Sequence, residues 1–320
     1  MKKRWKGLLG LLLAVCLTAC SSGGDAFVDE PVLKINEQDI MKSEYMVYLY
    51  TTSQSFVAAA GADVWNMDFD GQTADELVEE RTISTLQSVI AAEDYAAANG
   101  ISLTAEEKEQ AKLAAEQFIS NVPEEELAKM GVDAEKLAPL MEGSYLYTLV
   151  YQEIAAECAV DGTEMEAYYQ ENQEQLKKDY TLLTLQSILL DNQKTAEEVV
   201  KKAQNGEDFA ELFRTYDIEP DAENGGEVTM QQNQLQATTG LSEEMEAGDV
   251  VGPLQMGDGW LILKATDKKV PTAEEARELA ESMYTSGVQA AYTEARFAEM
   301  MKPQTVKKYP DVWDTLEKFH

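Results

Sequence analysis

Five times in this chain a threonine stands three residues ahead of a glutamate at the head of a periodic segment: Thr73 with Glu76, Thr104 with Glu107, Thr163 with Glu166, Thr195 with Glu198 and Thr272 with Glu275. In such a capping box the threonine oxygen accepts the third helical N–H, and the glutamate reaches back to the threonine's own N–H. The pattern therefore places five helix starts and commits most of the chain to helix. After Thr73, residues Leu86, Val89 and Ile90 fall on one face, and Asn99-Gly100 ends the helix. Pro123 opens a short helix that Gly131 closes, and an apolar-rich helical segment runs from Val132 to Cys158 across Pro139. Ahead of these, Val32 to Ile40 reads as a short strand and a turn around Asn36-Glu37-Gln38, leading into a helix near Ser43. The chain to about residue 176 is expected to be nearly all helical.

The pattern changes at Tyr180. Residues 180–190, YTLLTLQSILL, form a continuous apolar and threonine-rich run of strand length. A helix from Thr195 to Gln204 stops at Asn205-Gly206, and a second runs from Glu207 to Tyr216. A loop with Pro220 and Asn224-Gly225-Gly226 leads to a short strand at 227–230, and turns at Ala247-Gly248-Asp249 and Gly257-Asp258-Gly259 introduce two more. The order β-α-α-β-(α)-β-β describes a small α+β unit. A long helix to about Met301 follows, ended by Pro303. The fold class is α+β: a mostly α-helical body from both chain ends, with the small α+β domain inserted.

At the other end, Lys2, Lys3, Arg4 and Lys6 precede an apolar run from Leu8 to Leu17, closed by Leu17-Thr18-Ala19-Cys20. The run is shorter than the roughly 20 apolar residues that span a bilayer, and its basic head and small-residue end describe an export signal. The tetrapeptide reads as a lipobox, with Cys20 the lipidated residue and Ser21-Ser22-Gly23-Gly24 a flexible tether; the alternative is a plain secretory signal cut after Ala19, with Cys20 an ordinary residue. The expected location is extracytoplasmic, lipid-anchored to the outer face of the cell membrane. The expected organisation is a signal at 1–19, a tether at 20–31, a helical region at 32–177, the inserted domain at 178–270 and a C-terminal helix at 271–320 packing on the N-terminal region.

Charge and rare residues narrow the chemistry. The formal net charge is −33, and losing residues 1–19 removes four positive charges and no negative ones, leaving −37. Such acidity repels phosphate backbones, so nucleic acid is not an expected partner; the charge is expected to solvate a long helical surface, with attraction of basic polypeptides as the alternative. With Cys16 gone and Cys20 lipidated, Cys158 is alone and no internal disulfide forms. Its apolar neighbours favour a buried structural thiol. The only histidine is His320, which removes Ser-His-Asp and Cys-His hydrolysis and histidine-ligated metal sites. No calcium-loop spacing, Walker loop or GxGxxG is present, so neither metal nor cofactor is expected. The run Val64-Trp65-Asn66-Met67-Asp68-Phe69 is a candidate contact for apolar polypeptide, with a loop folded back on the helices as the alternative.

Residues 186–264 carry a resemblance. SIL, AEEVVKKAQNGEDFAELFRTY, an NGG turn, a Gly-Pro after GDVV and the closing GDGWLILKATDKK together resemble the parvulin-type (PpiC-type) peptidyl-prolyl isomerase domain. With the lipobox, the INEQDI start and the flanking helices, the arrangement looks like the PrsA-type extracytoplasmic foldase lipoproteins with a SurA-like helical chaperone region. That resemblance implies unfolded, newly exported polypeptides as partners, a membrane held through the lipid anchor, and no cofactor; it leaves a homodimer open. It also implies prolyl isomerisation, a rotation over a barrier of roughly 18–20 kcal/mol with no bond broken, aided by an apolar proline pocket and polar groups beside the twisted amide. The family's two histidines correspond here to Ser187 and Leu261, so both are absent. Its loop acid corresponds to Glu219, with Asp217 competing. Trp260, Met230 and Leu235 are the candidates for the proline pocket. Two functions follow: an isomerase with Glu219 beside the amide, or a catalytically inactive chaperone or binding module. A ligand-capturing transporter lipoprotein is disfavoured, because it needs two lobes of repeated β-α alternation.

Overall fold

A computed structural model describes residues 27–218 and 226–320. The signal, Cys20 and the 21–24 tether lie outside the described residues, as do Glu219 and Asn224-Gly225. In chain order the elements are β1 (Pro31–Ile35), β2 (Gln38–Met41), α1 (Lys42–Ala60), β3 (Asp68–Phe69), β4 (Gln72–Thr73), α2 (Ala74–Asn99), α3 (Ala105–Asn121), α4 (Glu124–Met130) and α5 (Ala134–Ala156). There follow α6 (Gly162–Asp179), β5 (Leu182–Leu190), α7 (Gln193–Gln204), α8 (Phe209–Tyr216), β6 (Glu227–Gln231), α9 (Gln232–Thr239), β7 (Val250–Met256), β8 (Gly259–Lys269), α10 (Ala273–Met301), β9 (Val306–Lys308) and α11 (Pro310–Trp313). They form two units, residues 27–150 with 297–320, and residues 151–296. The architecture is α+β, and both chain ends contribute to the first unit.

In that first unit, β1 is the middle strand of a three-stranded antiparallel sheet. Ile35 pairs with Gln38 across the β1–β2 turn on one side and with Val306 of β9 on the other. The core gathers Leu33, Ile35 and Ile40 from the sheet, Tyr45 and Met46 from α1, Leu86 and Ile90 from α2, and Phe319 from the C-terminal segment. Capping boxes form as expected at Thr73/Glu76 and Thr104/Glu107, and reciprocal bonds join Thr272 and Glu275. Two expected boxes are corrected. Asp161 caps α6 by accepting the N–H groups of Thr163 and Glu164, which leaves Glu166 to pair with Arg277. Asn192 caps α7 through the N–H of Thr195. In both places a short Asx side chain upstream reaches the orphan N–H groups first. Cys158 also departs from expectation: it is half-buried, its sulfur 4.0 Å from the Val288 carbonyl oxygen.

In the second unit the antiparallel sheet has the order β6-β5-β8-β7, and its elements follow the expected β-α-α-β-α-β-β succession. Lys178 bonds Glu244 at 2.7 Å and Lys268 bonds Glu246 at 2.6 Å, which ties the loop before β7 to α6 and β8. The Lys178 hydrogen bond holds the Glu244 carboxyl below the usual carboxylate range. Among the described residues no helix is long and apolar enough to cross a membrane.

Candidate functional site

Successive side chains on a strand point to opposite sides, so the register of β5 against β8 assigns each residue to a face. Ile188 opposes Ile262, and Leu190 opposes Trp260. This face is closed by α7 and α8 through Val199, Phe209, Leu212 and Phe213, with Trp260 and Tyr216 packed at its margin. The amphipathic sequence from 195 to 216 dictates that arrangement, because its apolar positions recur at helical spacing.

The other face carries Ser187 opposite Leu263, and Leu189 opposite Leu261. Here Leu183, Leu185, Leu263 and Ala265 meet Leu235 of α9 and Met245 in a closed core. Met230, Leu241, Val251, Leu254 and Leu261 are packed around it and remain half-buried. The structure thus puts four of the residues singled out in the sequence, Ser187, Leu261, Met230 and Leu235, on one side of the sheet without gathering them at one point: Met230 pairs with Leu183, and Leu261 with Leu189 six residues further along β5. It does not bring Trp260 to them: Trp260 lies on the α7/α8 side, so the three expected pocket residues do not line one pocket. A one-residue step along a strand is a change of face, and that excludes the grouping. Glu219 lies outside the described residues. Sequence reasoning missed Met245 and Leu254: Met245 sits in a loop with no repeating pattern, and the register shift between Val251 and Leu254 hides the face that Leu254 takes.

The polar groups near this face are already engaged. Ser187 donates both its N–H (2.9 Å) and its hydroxyl (3.0 Å) to the Gly226 carbonyl, although the hydroxyl oxygen keeps acceptor capacity. Gly226 has a φ of +77°, and a Cβ there would stand 2.5 Å from the Ser187 carbonyl oxygen, so only glycine fits. Asp217 accepts the Leu189 N–H at 2.7 Å, and the Ile218 N–H bonds back to the Leu189 carbonyl at 3.0 Å. Asp217 therefore anchors the segment leaving α8 to β5. The Leu261 side chain offers no polar atom, and at Gly252, φ +132°, a Cβ would stand 2.8 Å from the Leu261 carbonyl oxygen, so glycine is what lets β7 pack there.

The first unit holds a separate groove of about 720 Å³ between α1, α2 and the segment after α1, lined by Tyr48, Phe56, Val64, Phe69, Arg81 and Ser144 among others. The 64–69 run contributes to it unevenly. Val64 is buried and Phe69 half-buried along the groove, Met67 is 42% exposed, and Trp65 stacks on His320 at 4.6 Å. The guanidinium of Arg81 lies 5.3 Å from the centre of the Phe56 ring. No group of three or more metal-ligating side chains occurs among the described residues.

Residues 160–278 match the family of the PPIC-type PPIASE domain. Across almost its whole length the chain is similar to the foldase protein PrsA of Caldanaerobacter subterraneus, 22% identical over 306 residues that cover 94% of each chain. It also matches the chaperone SurA of Salmonella choleraesuis, 36% identical over 81 residues, 24% of this chain and 18% of that one. Among solved structures, the foldase protein PrsA from Streptococcus pneumoniae aligns with a TM-score of 0.46 at 16% identity, covering 74% of this chain and 92% of the other. The chain carries a PPIC-type parvulin domain; its likeness over nearly its whole length is to a PrsA foldase, and that to the chaperone SurA is confined to 81 residues.

Proposed function

We propose that the protein is an extracytoplasmic foldase of the chaperone kind, tethered to the membrane through a lipid on Cys20, which holds newly exported polypeptides while they fold. The parvulin domain acts in this reading as a binding module for apolar and proline-bearing segments. The observation that supports it is the α9 face of the sheet: Leu254 and Leu261 lie half-buried side by side at one end of a closed core and Met230 at the other, with leucine and a tied-down serine at the positions where the parvulin resemblance implies histidines. Such a face supplies apolar contact area, and little on it can favour a twisted amide over a planar one, so binding is uniform and does not accelerate rotation. The relatives named foldase and chaperone, together with the export signal, support the location and the client class.

The test is to measure prolyl isomerisation of a tetrapeptide series and suppression of aggregation of an unfolded reporter, both with the full chain. Aggregation should be suppressed without appreciable acceleration of isomerisation. Acceleration that disappears in Glu219→Ala would overturn the binding-module reading in favour of a histidine-free isomerase. Absence of both activities would remove the foldase reading itself.

A further inference from the structure

The first unit contains a second cavity, of about 210 Å³, between α1, the start of α2 and the 313–319 segment. Leu49, Val78 and Leu316 form its apolar walls, and Tyr45 and Trp313, with ring centres 5.0 Å apart, form its aromatic one. Tyr45 is fully buried, and its hydroxyl has no hydrogen-bond partner. A buried phenol left unpaired is destabilising unless something occupies the space beside it. The remaining polar lining is mainly carboxylate. Glu79, Asp314 and Glu317 lie on it together with the Lys318 ammonium; Asp75 is bonded by Lys318 and by His320 at 2.9 Å, and one oxygen of Glu79 is paired with Lys308. Glu79 also bears on the buried hydroxyl directly: after burial, its charge is the further cause that raises the Tyr45 phenol above its ordinary range.

The wall already holds one cation of this chain on Trp313 and Glu79. The Lys308 ammonium sits 3.7 Å from the centre of the Trp313 ring and 3.5 Å from the Glu79 carboxylate. Aromatic faces and carboxylates of this kind hold ammonium and guanidinium groups, apolar walls accommodate an alkyl stem, and a phenol oxygen accepts from a cationic N–H.

The geometry points to this cavity as a binding site for an alkylammonium or alkylguanidinium group, with Tyr45 and Glu79 as its polar contacts. Such a group has two sources, a lysine or arginine side chain of a bound polypeptide or a free amine. The site does not depend on the parvulin domain or on its activity.

Calorimetric titration of the full chain with n-butylamine, with n-butanol, and with a blocked pentapeptide bearing one arginine among alanines tests it. The amine and the peptide should bind saturably and the alcohol should not. Affinity should fall at least tenfold in both Tyr45→Phe and Glu79→Gln, while Tyr45→Phe keeps the parent's thermal stability or exceeds it. Tighter binding of the peptide identifies a polypeptide side chain as the source, and tighter binding of butylamine identifies free amines. Butanol matching butylamine, no saturable binding of either cation, or unchanged affinity in both variants would overturn the assignment.

Discussion

Trp260 and Leu261 are neighbours in the chain and lie on opposite faces of the same sheet: Trp260 pairs with Leu190 toward α7 and α8, and Leu261 with Leu189 toward the α9 side. Their substitutions should therefore read out differently. Trp260→Ala removes packing behind the sheet and should lower stability by about 2–4 kcal/mol without changing affinity for an unfolded reporter. Leu261→Ala should weaken reporter binding more than it lowers the urea midpoint. Parallel denaturation and fluorescence-anisotropy titrations separate the two.

Gly226→Ala should destabilise the second unit by about 2 kcal/mol or more, since it forces a Cβ against the Ser187 carbonyl at positive φ. Ser187→Ala removes only one of two donors to the Gly226 carbonyl and should cost about 1 kcal/mol. Urea unfolding of both variants gives the order.

Stability should fall as pH rises toward neutrality. Burial first, then the charges of Glu93 and Asp29, push the Glu44 carboxyl on α1 from its ordinary 4.5 up to about 7, against a lowering hydrogen bond from the Met41 backbone. The folded state thus holds this proton more tightly than the unfolded one. Its contribution is fully present below about pH 4.5 and is lost as pH passes through 7, a difference of about 3 kcal/mol. Burial raises the neighbouring Glu93 carboxyl too, with the charge of Asp94 adding to it. Urea midpoints at pH 5 and pH 8 should differ in that sense for the parent chain, and the difference should shrink in Glu44→Gln.

Phe319 is 2% exposed, meets Tyr50 edge-on at 5.2 Å and has the Lys129 ammonium 5.9 Å from its ring. Phe319→Ala should cost about 3–5 kcal/mol, a loss that thermal unfolding followed in the first unit will register.

The helices were legible wherever a cap was local. Thr73/Glu76 and Thr104/Glu107 need nothing beyond four residues, and the apolar 180–190 run announced the central strand. What the sequence left hidden depends on partners far along the chain. Nothing near Val306 signals that it will pair with Ile35, and nothing near Phe319 signals burial, because a single phenylalanine in a short polar segment has no period to display. In the second unit, strand membership is legible and direction is not: Ser187 falls on β5 and Leu261 on β8, as the pattern of apolar runs and turns implies, but grouping Trp260 with Met230 and Leu235 overlooks the alternation of faces. Met245 escaped notice because it sits in a loop, held there by the ion pairs of Glu244 and Glu246 rather than by any repeating pattern.

The pairing of β1 with β9 sets an order on how such a chain matures. Strand β1 leaves the ribosome or the export channel early, and its second neighbour follows only after nearly the entire polypeptide has emerged; until then the Tyr309 N–H that bonds the Val32 carbonyl does not exist on the outside. The contiguous 151–296 stretch has all its strands in hand before that moment and can close first. A protein proposed to shelter unfinished chains thus spends most of its own emergence as one, with half a core waiting for residues 306–319.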